Sequence, residues 1–206
     1  MKRLLILLGA FLFTLSFLKS EAQTPQSSSQ KVQQTRYQEL TKKQIRKIKR
    51  DQRQKAREEE NQEEFNAAIE ALQDRNWVLM ANTLYSPMGN AITVSDNTNF
   101  IQFKNNTVYV QLAFNGIAGP NGLGGITIQG TPSQISFTTD NQGNVTYSFY
   151  VNSITLTAQI VVTMNSGNNY ANATIYPMSN INNLTFSGVL VPTSQAGVFR
   201  SGFISF

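Results

Sequence analysis

The sequence contains no cysteine and no histidine. Without cysteine there are no disulfides, no thiolate metal sites, no thiol nucleophile and no acylated cysteine of the kind that anchors a bacterial lipoprotein. Without histidine there is no Ser-His-Asp triad, no imidazole base and no ordinary zinc site. These absences exclude most hydrolase mechanisms, and we predict a protein that is not an enzyme and has no metal or cofactor.

Long apolar runs are also scarce. The run Leu4–Leu18 follows Lys2 and Arg3 and precedes small residues that end at Ala22. This arrangement predicts a cleavable signal peptide over residues 1–22 rather than a retained anchor, because the run is short for a bilayer. No later run reaches the about 18 apolar residues of a spanning helix. We therefore expect an exported protein, periplasmic or at the cell surface, not lipidated and without a transmembrane helix.

Charge is almost absent from residues 76–206, which contain Asp96, Lys104, Asp140 and Arg200 as their only acidic or basic side chains. The net charge of +5 belongs to the front of the chain. There, residues 23–35 are rich in Ser and Gln and are predicted to form a flexible linker. Residues 36–75 lack Gly and Pro and are predicted to form a charged helix.

Charge is segregated along this predicted helix. Between Lys31 and Arg57 there are eleven basic residues against two acidic ones, and five glutamates follow within 58–64. Apolar residues at the i, i+3, i+4, i+7 spacing of one helical face occur only at Phe65, Ala68, Ile69 and Leu72. We therefore expect only the last two turns to pack on the following domain. The basic part is interpreted as a solvated spacer or as a contact for an anionic envelope surface; a nucleic-acid partner is not expected.

Residues 76–206 show alternating apolar and polar side chains, which predict an antiparallel β domain. Short turns rich in Asn and Gly separate the strands. The pattern is typical of a barrel, with a β-sandwich as the alternative. The predicted strands lie at 77–85, 91–95, 99–104, 107–114, 125–130, 133–139, 144–151, 153–164, 171–177 and 183–191.

Several segments of the β domain have a distinctive sequence: Asn99–Ile101, Val108–Leu112, Gly119–Gly130, Gly143–Thr146, Phe186–Pro192 and Val198-Phe199. Together they resemble an exported Bacteroidetes family known as domain of unknown function 4251, over about residues 60–200. The resemblance implies a lipocalin-like barrel in the periplasm or at the surface, and it implies no established activity.

The glycine-rich loop at 116–125 is the predicted place for a ligand. Glycines can adopt positive φ and bring backbone N–H groups close to a bound molecule, although they also serve tight corners of curved sheets. No Lys-Ser/Thr follows, so the loop is not a P-loop. The candidate ligand-binding residues are Asn121, Gly122, Gly124, Gly125 and Tyr109.

These patterns lead to three functional hypotheses. The first is non-catalytic binding of a small apolar or glycan ligand by the barrel domain of an exported envelope protein. The second is a structural or interaction module that its basic helix tethers to an acidic envelope surface or partner. The third is a small outer-membrane barrel, which the alternating strands and the terminal Phe206 suggest.

Overall fold

The computed structural model describes residues 28–114, 123–179 and 181–200, with side chains described from Thr41 onward. The predicted signal peptide and the terminal Phe206 lie outside these residues. The chain divides into two compact units, with the boundary between Arg50 and Asp51.

One long helix, α1, spans Ser28–Gln73. It begins inside the predicted linker, because residues 28–35 contain no helix breaker and Gln, Lys and Arg have good helix propensity. All side chains from Thr41 to Glu64 are exposed, whereas Phe65, Ala68, Ala71 and Leu72 are buried. The prediction that only the last two turns would pack on the domain is confirmed. In the part of the chain that the structure describes, no helix is long and apolar enough to cross a bilayer.

The C-terminus of α1 is closed by a Schellman motif. The N–H of Asn76 donates to the carbonyl of Ala71, and the N–H of Arg75 donates to the carbonyl of Leu72. This geometry places Arg75 in the left-handed region, at φ 55°, where glycine is the preferred residue. The motif leads the chain from α1 into the first strand, which begins at Trp77, within three residues.

In the residues that the structure describes, nine antiparallel strands follow α1. They are β1 (Trp77–Tyr85), β2 (Ala91–Thr93), β3 (Phe100–Lys104), β4 (Thr107–Leu112), β5 (Ile126–Thr139), β6 (Val145–Asn152), β7 (Thr157–Met164), β8 (Tyr170–Pro177) and β9 (Leu184–Pro192). β1 pairs with β9, which closes an eight-stranded barrel in the order β1-β3-β4-β5-β6-β7-β8-β9. The short β2 pairs with the second half of β1, on the side where β3 pairs with the first half. The prediction of an antiparallel barrel is confirmed.

Two strand predictions need correction. The segments 125–130 and 133–139 form one strand, β5, with a bulge between Ser133 and Ser136 where Gln134 has φ 50°. The predicted strand 153–164 begins only at Thr157, because the Ser153 hydroxyl accepts from the Leu156 N–H and donates to the Leu156 carbonyl. Ile154, within the predicted strand, is therefore fully exposed in that turn.

The barrel interior is filled by apolar and aromatic side chains. The rings of Trp77, Phe103, Tyr147 and Phe149 lie with centroids 5.6 to 6.5 Å apart, and all four are buried. Edge-to-face and tilted arrangements at this spacing are the favourable geometry for aromatic pairs. The same apolar core includes Phe65, Ala68 and Leu72 of α1. Outward-facing positions carry mainly Thr, Ser, Asn and Gln.

Candidate functional site

The predicted ligand loop connects β4 to β5, at the barrel end opposite to α1, because successive strands alternate in direction. Asn121 and Gly122 lie outside the described residues. Gly124 has φ +77°. A Cβ on Gly125 would overlap the carbonyl of Leu112. These two glycines therefore have a backbone role at the crossing from β4 to β5, and their predicted ligand contact stays a prediction.

Tyr109 projects from the outer face of β4. The guanidinium of Arg200 lies 3.7 Å from the centre of its ring. Tyr109 is three residues from Leu112, which is about 10 Å along the strand. The structure therefore does not bring Tyr109 together with Gly125, and the Tyr109 ring already has an intramolecular partner.

A C-terminal strap, residues 197–200, covers this outer region of β3 and β4. The Phe199 N–H donates to the Asn97 carbonyl at 2.7 Å, and the Gln111 amide donates to the Phe199 carbonyl at 2.8 Å. Gln111 and Gln102 are buried although they face outward. The strap explains why Gln102 is buried in β3 although its side chain lies on the outer face.

Two polar atoms in the filled interior have no hydrogen-bond partner among the described residues: the indole nitrogen of Trp77 and the hydroxyl of Tyr147. The two rings meet edge-on at 5.9 Å. Burial raises the pKa of Tyr147, and the adjacent Trp77 indole offsets part of that rise without reaching hydrogen-bond geometry. Phe103 and Phe149 pack around both rings.

The described residues include concave surface on the outside of the barrel. One hollow, here called the Tyr170 cleft, has a volume of about 370 Å³. Its lining is uncharged and consists of Thr163, Asn165, Asn168, Asn169, Tyr170, Asn172 and Val189. The residues come from the end of β7, the β7–β8 turn, β8 and β9.

Hydrogen bonds fix the aromatic ring of the Tyr170 cleft. The Tyr170 hydroxyl donates to Asn82 Oδ1 at 3.1 Å, and the backbone N–H of Tyr170 donates to Asn168 Oδ1 at 2.9 Å. Ser187 donates to Asn172 Oδ1 at 2.6 Å. Tyr170 is nevertheless 42% exposed. The cleft thus presents a preorganised aromatic surface among amide and hydroxyl groups.

A second hollow, the Tyr150 cleft, has a volume of about 320 Å³. Its lining is also uncharged, and the hollow includes Gln134 in its left-handed conformation at the β5 bulge. It lies about 20 Å from the Tyr170 cleft, since the two share β7 at Thr157 and Thr163. The lining residues are Ser133, Gln134, Tyr150, Asn152, Thr157 and Met178.

A row of hydroxyl and amide side chains runs across the strands through the Tyr170 cleft. The register pairs Thr146 with Thr163, Thr163 with Asn172, and Asn172 with Ser187. Neighbouring strands are about 4.8 Å apart, so each strand adds one polar group at that interval. This repeat is comparable to the length of one sugar ring.

The β domain has few charged side chains that could take part in chemistry. Asp140 accepts hydrogen bonds from the backbone N–H groups of Gln142 and Asn144 and from the Asn144 amide, at 2.8 to 2.9 Å. The Asn144 side chain and these backbone donors lower the pKa of Asp140. Asp140 thus closes the turn between β5 and β6. In the described ranges no three acidic side chains are grouped as a metal site.

The Tyr170 cleft is not among the sites that the sequence predicts. The segment Asn165–Asn169 has the composition of a turn, and Tyr170 falls just before a predicted strand. A usable signal is present, namely four asparagines within residues 165–172 next to a tyrosine. The contribution of β9 depends on barrel closure, so no local pattern includes it.

The fold and surface define a closed eight-stranded antiparallel barrel with a filled core and a polar exterior that carries few charges. A family model described as "Domain of unknown function (DUF4251)" matches residues 59–190. The chain belongs to this family, as the resemblance in its sequence predicts. A crystal structure of a DUF4251 family protein from Bacteroides eggerthii is 38% identical, with a TM-score of 0.60. The match covers 70% of this chain and 99% of that one. No curated protein matches the chain.

Proposed function

We propose that this chain is an exported, non-enzymatic envelope protein that binds a neutral glycan on the outer face of its barrel, at the Tyr170 cleft. The observation that carries the proposal is the cleft itself: an uncharged hollow of about 370 Å³ in which four asparagines surround a fixed, half-exposed tyrosine ring. Export and periplasmic or surface location rest on the predicted signal peptide and on the family resemblance.

The chemistry of the cleft suits a sugar. A sugar ring has apolar C–H faces that stack on aromatic rings, and hydroxyls that both donate and accept hydrogen bonds. Tyr170 supplies the aromatic face, and the amides of Asn165, Asn168 and Asn172 supply donors and acceptors. An anionic or cationic ligand would find no countercharge in this lining.

Because the interior is filled, we do not propose an apolar ligand inside the barrel. Lipocalin-type binding needs an open lumen, whereas Trp77, Phe103 and Phe149 occupy the middle of this one. The outer-membrane alternative is also disfavoured, because the described strands are apolar inside and polar outside, the reverse of a membrane barrel.

An extended glycan fits better than a single sugar. The Tyr150 and Tyr170 clefts lie on the same outer face, and Gln159 and Val161 of β7 lie between them, half-buried. A chain of several sugar rings is long enough to contact both clefts. We expect affinity to rise with chain length until the glycan reaches the second tyrosine.

Calorimetric titration of the mature chain with neutral oligosaccharides tests the proposal. Tyr170→Ala should weaken binding on the order of 10-fold, as expected for loss of a central aromatic contact. Tyr85→Ala is the control, because Tyr85 is a tyrosine at the end of β1, 39% exposed, that lines neither cleft and is separated from β7 by β8 and β9. Equal binding by the two variants, or no glycan binding by the wild type, would overturn it.

A further inference from the structure

Part of β5 leaves one edge of the barrel sheet unpaired. Residues 126–130 of β5 pair with β4 on one side, whereas residues 131–139 pair only with β6, on the other side. β4 does not reach further along β5, because it begins at Thr107, next to the Val108 that pairs with Gly130. Among the strands that the structure describes, none therefore lies beside the rest of β5 on this side.

The regular part of this free stretch, residues 135–139, is here called the β5 edge. It begins after the bulge, where Gln134 has φ 50°, and Pro132 before the bulge has no N–H to donate. It ends at the turn that Asp140 closes. Because alternate residues of a strand direct their N–H and C=O groups to opposite sides, the β5 edge presents about half of its backbone donors and acceptors to a further strand.

The composition of the β5 edge is that of a strand without protection against further pairing. Its sequence, Ile-Ser-Phe-Thr-Thr, has high β propensity and carries no charge. Lysine or another charged residue on an edge strand normally repels a further strand. Ser136, Thr138 and Thr139 are exposed. A strand of another polypeptide can therefore approach the β5 edge without meeting a charge.

The β5 edge is complementary to itself. A twofold axis at Phe137, its middle residue, gives an antiparallel pair in which Ser136 faces Thr138 of a second copy. Hydroxyl side chains directly opposite each other are favourable in antiparallel sheets, whereas like charges are not. In the same register Asp140 faces Gln134 of the second copy, so no like charges meet.

Phe137 favours a second copy over an unrelated strand. The centre of its ring lies 6.5 Å from that of the buried Tyr147 ring, and Phe137 itself is only half-buried. Across the twofold axis the two Phe137 side chains are directly opposite, and aromatic pairs at such positions stabilise a sheet. A second copy supplies an uncharged strand and this apolar side chain together.

We propose that two copies of the chain pair antiparallel through their β5 edges and form one continuous sheet across a twofold axis. The arrangement is closed, because each copy has one β5 edge and the pair uses both. So short a stretch forms a smaller interface than a permanent dimer requires, and the association is therefore weak and depends on concentration. This inference is independent of the glycan site, which lies on β7, β8 and β9.

Sedimentation velocity of the mature chain, residues 23–206, from micromolar to millimolar concentration tests this proposal. The wild type should shift from monomer to dimer. Ser136→Lys with Thr138→Lys places lysines opposite each other across the axis and should weaken the dimer on the order of 10-fold or more. Thr155→Lys with Thr163→Lys is the control, because it adds the same charge at exposed positions outside β5, and it should change the dimer affinity less than about 2-fold.

Hydrogen exchange of the wild type locates the interface without a substitution. Those amides of residues 135–139 that point away from β6 should exchange more slowly at high than at low chain concentration, whereas the amides of β3 and β7 should not change. A chain that stays monomeric, a dimer that both lysine pairs weaken equally, or protection of these amides at every concentration would overturn the proposal. Concentration-dependent protection confined to β2, which also has an unpaired side among the described strands, would overturn it as well.

Discussion

The guanidinium of Arg200 lies 3.7 Å from the centre of the Tyr109 ring and also donates a hydrogen bond to Gln102 Oε1. One residue of the C-terminal strap thereby contacts both β3 and β4 on the outside of the barrel. The strap holds Gln102 and Gln111 away from water although neither faces the core. This packing has a measurable consequence for stability.

Arg200→Ala should lower the free energy of unfolding by about 1 kcal/mol, because an exposed cation–π contact and one charged hydrogen bond are lost together. Urea denaturation measures the change. Lys104→Ala removes another exposed cation of this region, and its effect should stay within about 0.5 kcal/mol. Equal effects of the two substitutions would show that the contact with Tyr109 stabilises nothing.

Gly188 lies where β9 crosses the β1 bulge. A Cβ at this position would overlap the carbonyl oxygen of Met80 and lie 2.8 Å from the Cα of Ala81. Because backbone atoms on both strands would have to shift, Gly188→Ala should destabilise the barrel by about 3 kcal/mol or more. Gly197 is the control, since a Cβ there would meet no atom within 4 Å. Thermal unfolding that is equally affected by Gly188→Ala and Gly197→Ala would contradict the β1–β9 closure.

The end of α1 offers a substitution that should stabilise. Arg75 has φ 55°, a conformation that costs an L-residue on the order of 1 kcal/mol and costs glycine nothing. Arg75→Gly should therefore raise the free energy of unfolding by up to about 1 kcal/mol. Arg57→Gly, in the helix interior, should act in the opposite direction or not at all. A loss of stability in Arg75→Gly would contradict the Schellman geometry.

Asp140 should contribute a pH dependence at the acid end. Its pKa is lowered from 3.8 in the folded chain, chiefly by the Asn144 side chain. A depressed carboxyl pKa gives stability that is fully present above the unfolded value and is lost as pH falls through the folded value. We expect the loss to occur below about pH 4 and to be reduced in Asp140→Asn. In Asn144→Ala, an NMR titration of the Asp140 carboxyl should give a higher pKa than in the wild type; an unchanged value would remove the hydrogen bond as its cause.

Most of the barrel could be predicted because alternation is a local signal. In β6 every second residue from Val145 to Val151 is buried, as its sequence predicts. The turn at Ser153 escapes prediction because Ile154 continues the apolar alternation while the Ser153 hydroxyl bonds locally and ends the pairing. The start of α1 could not be predicted because its polar composition is typical of a linker. Gln, Lys and Arg, however, also favour helix.

The candidate site was less predictable than the fold. Glycine in a sequence indicates a position where the backbone has an unusual conformation or a close neighbour. At Gly125 the close neighbour is the adjacent strand, not a ligand. The Tyr170 cleft depends on residues from three strands, and the Asn82 that holds the tyrosine lies 88 positions away in sequence. Only the closed barrel shows that these residues are neighbours.

The most direct test is a chemical-shift map of the isotope-labelled mature chain titrated with a neutral oligosaccharide. We expect saturable shifts at the backbone amides of Asn165–Asn172 and at Val189, smaller shifts at Tyr150, and none at the core residues Phe103 and Phe149. Saturable shifts confined to Phe103, Phe149 and other interior positions, or no shifts with any neutral glycan, would contradict a binding site at the Tyr170 cleft.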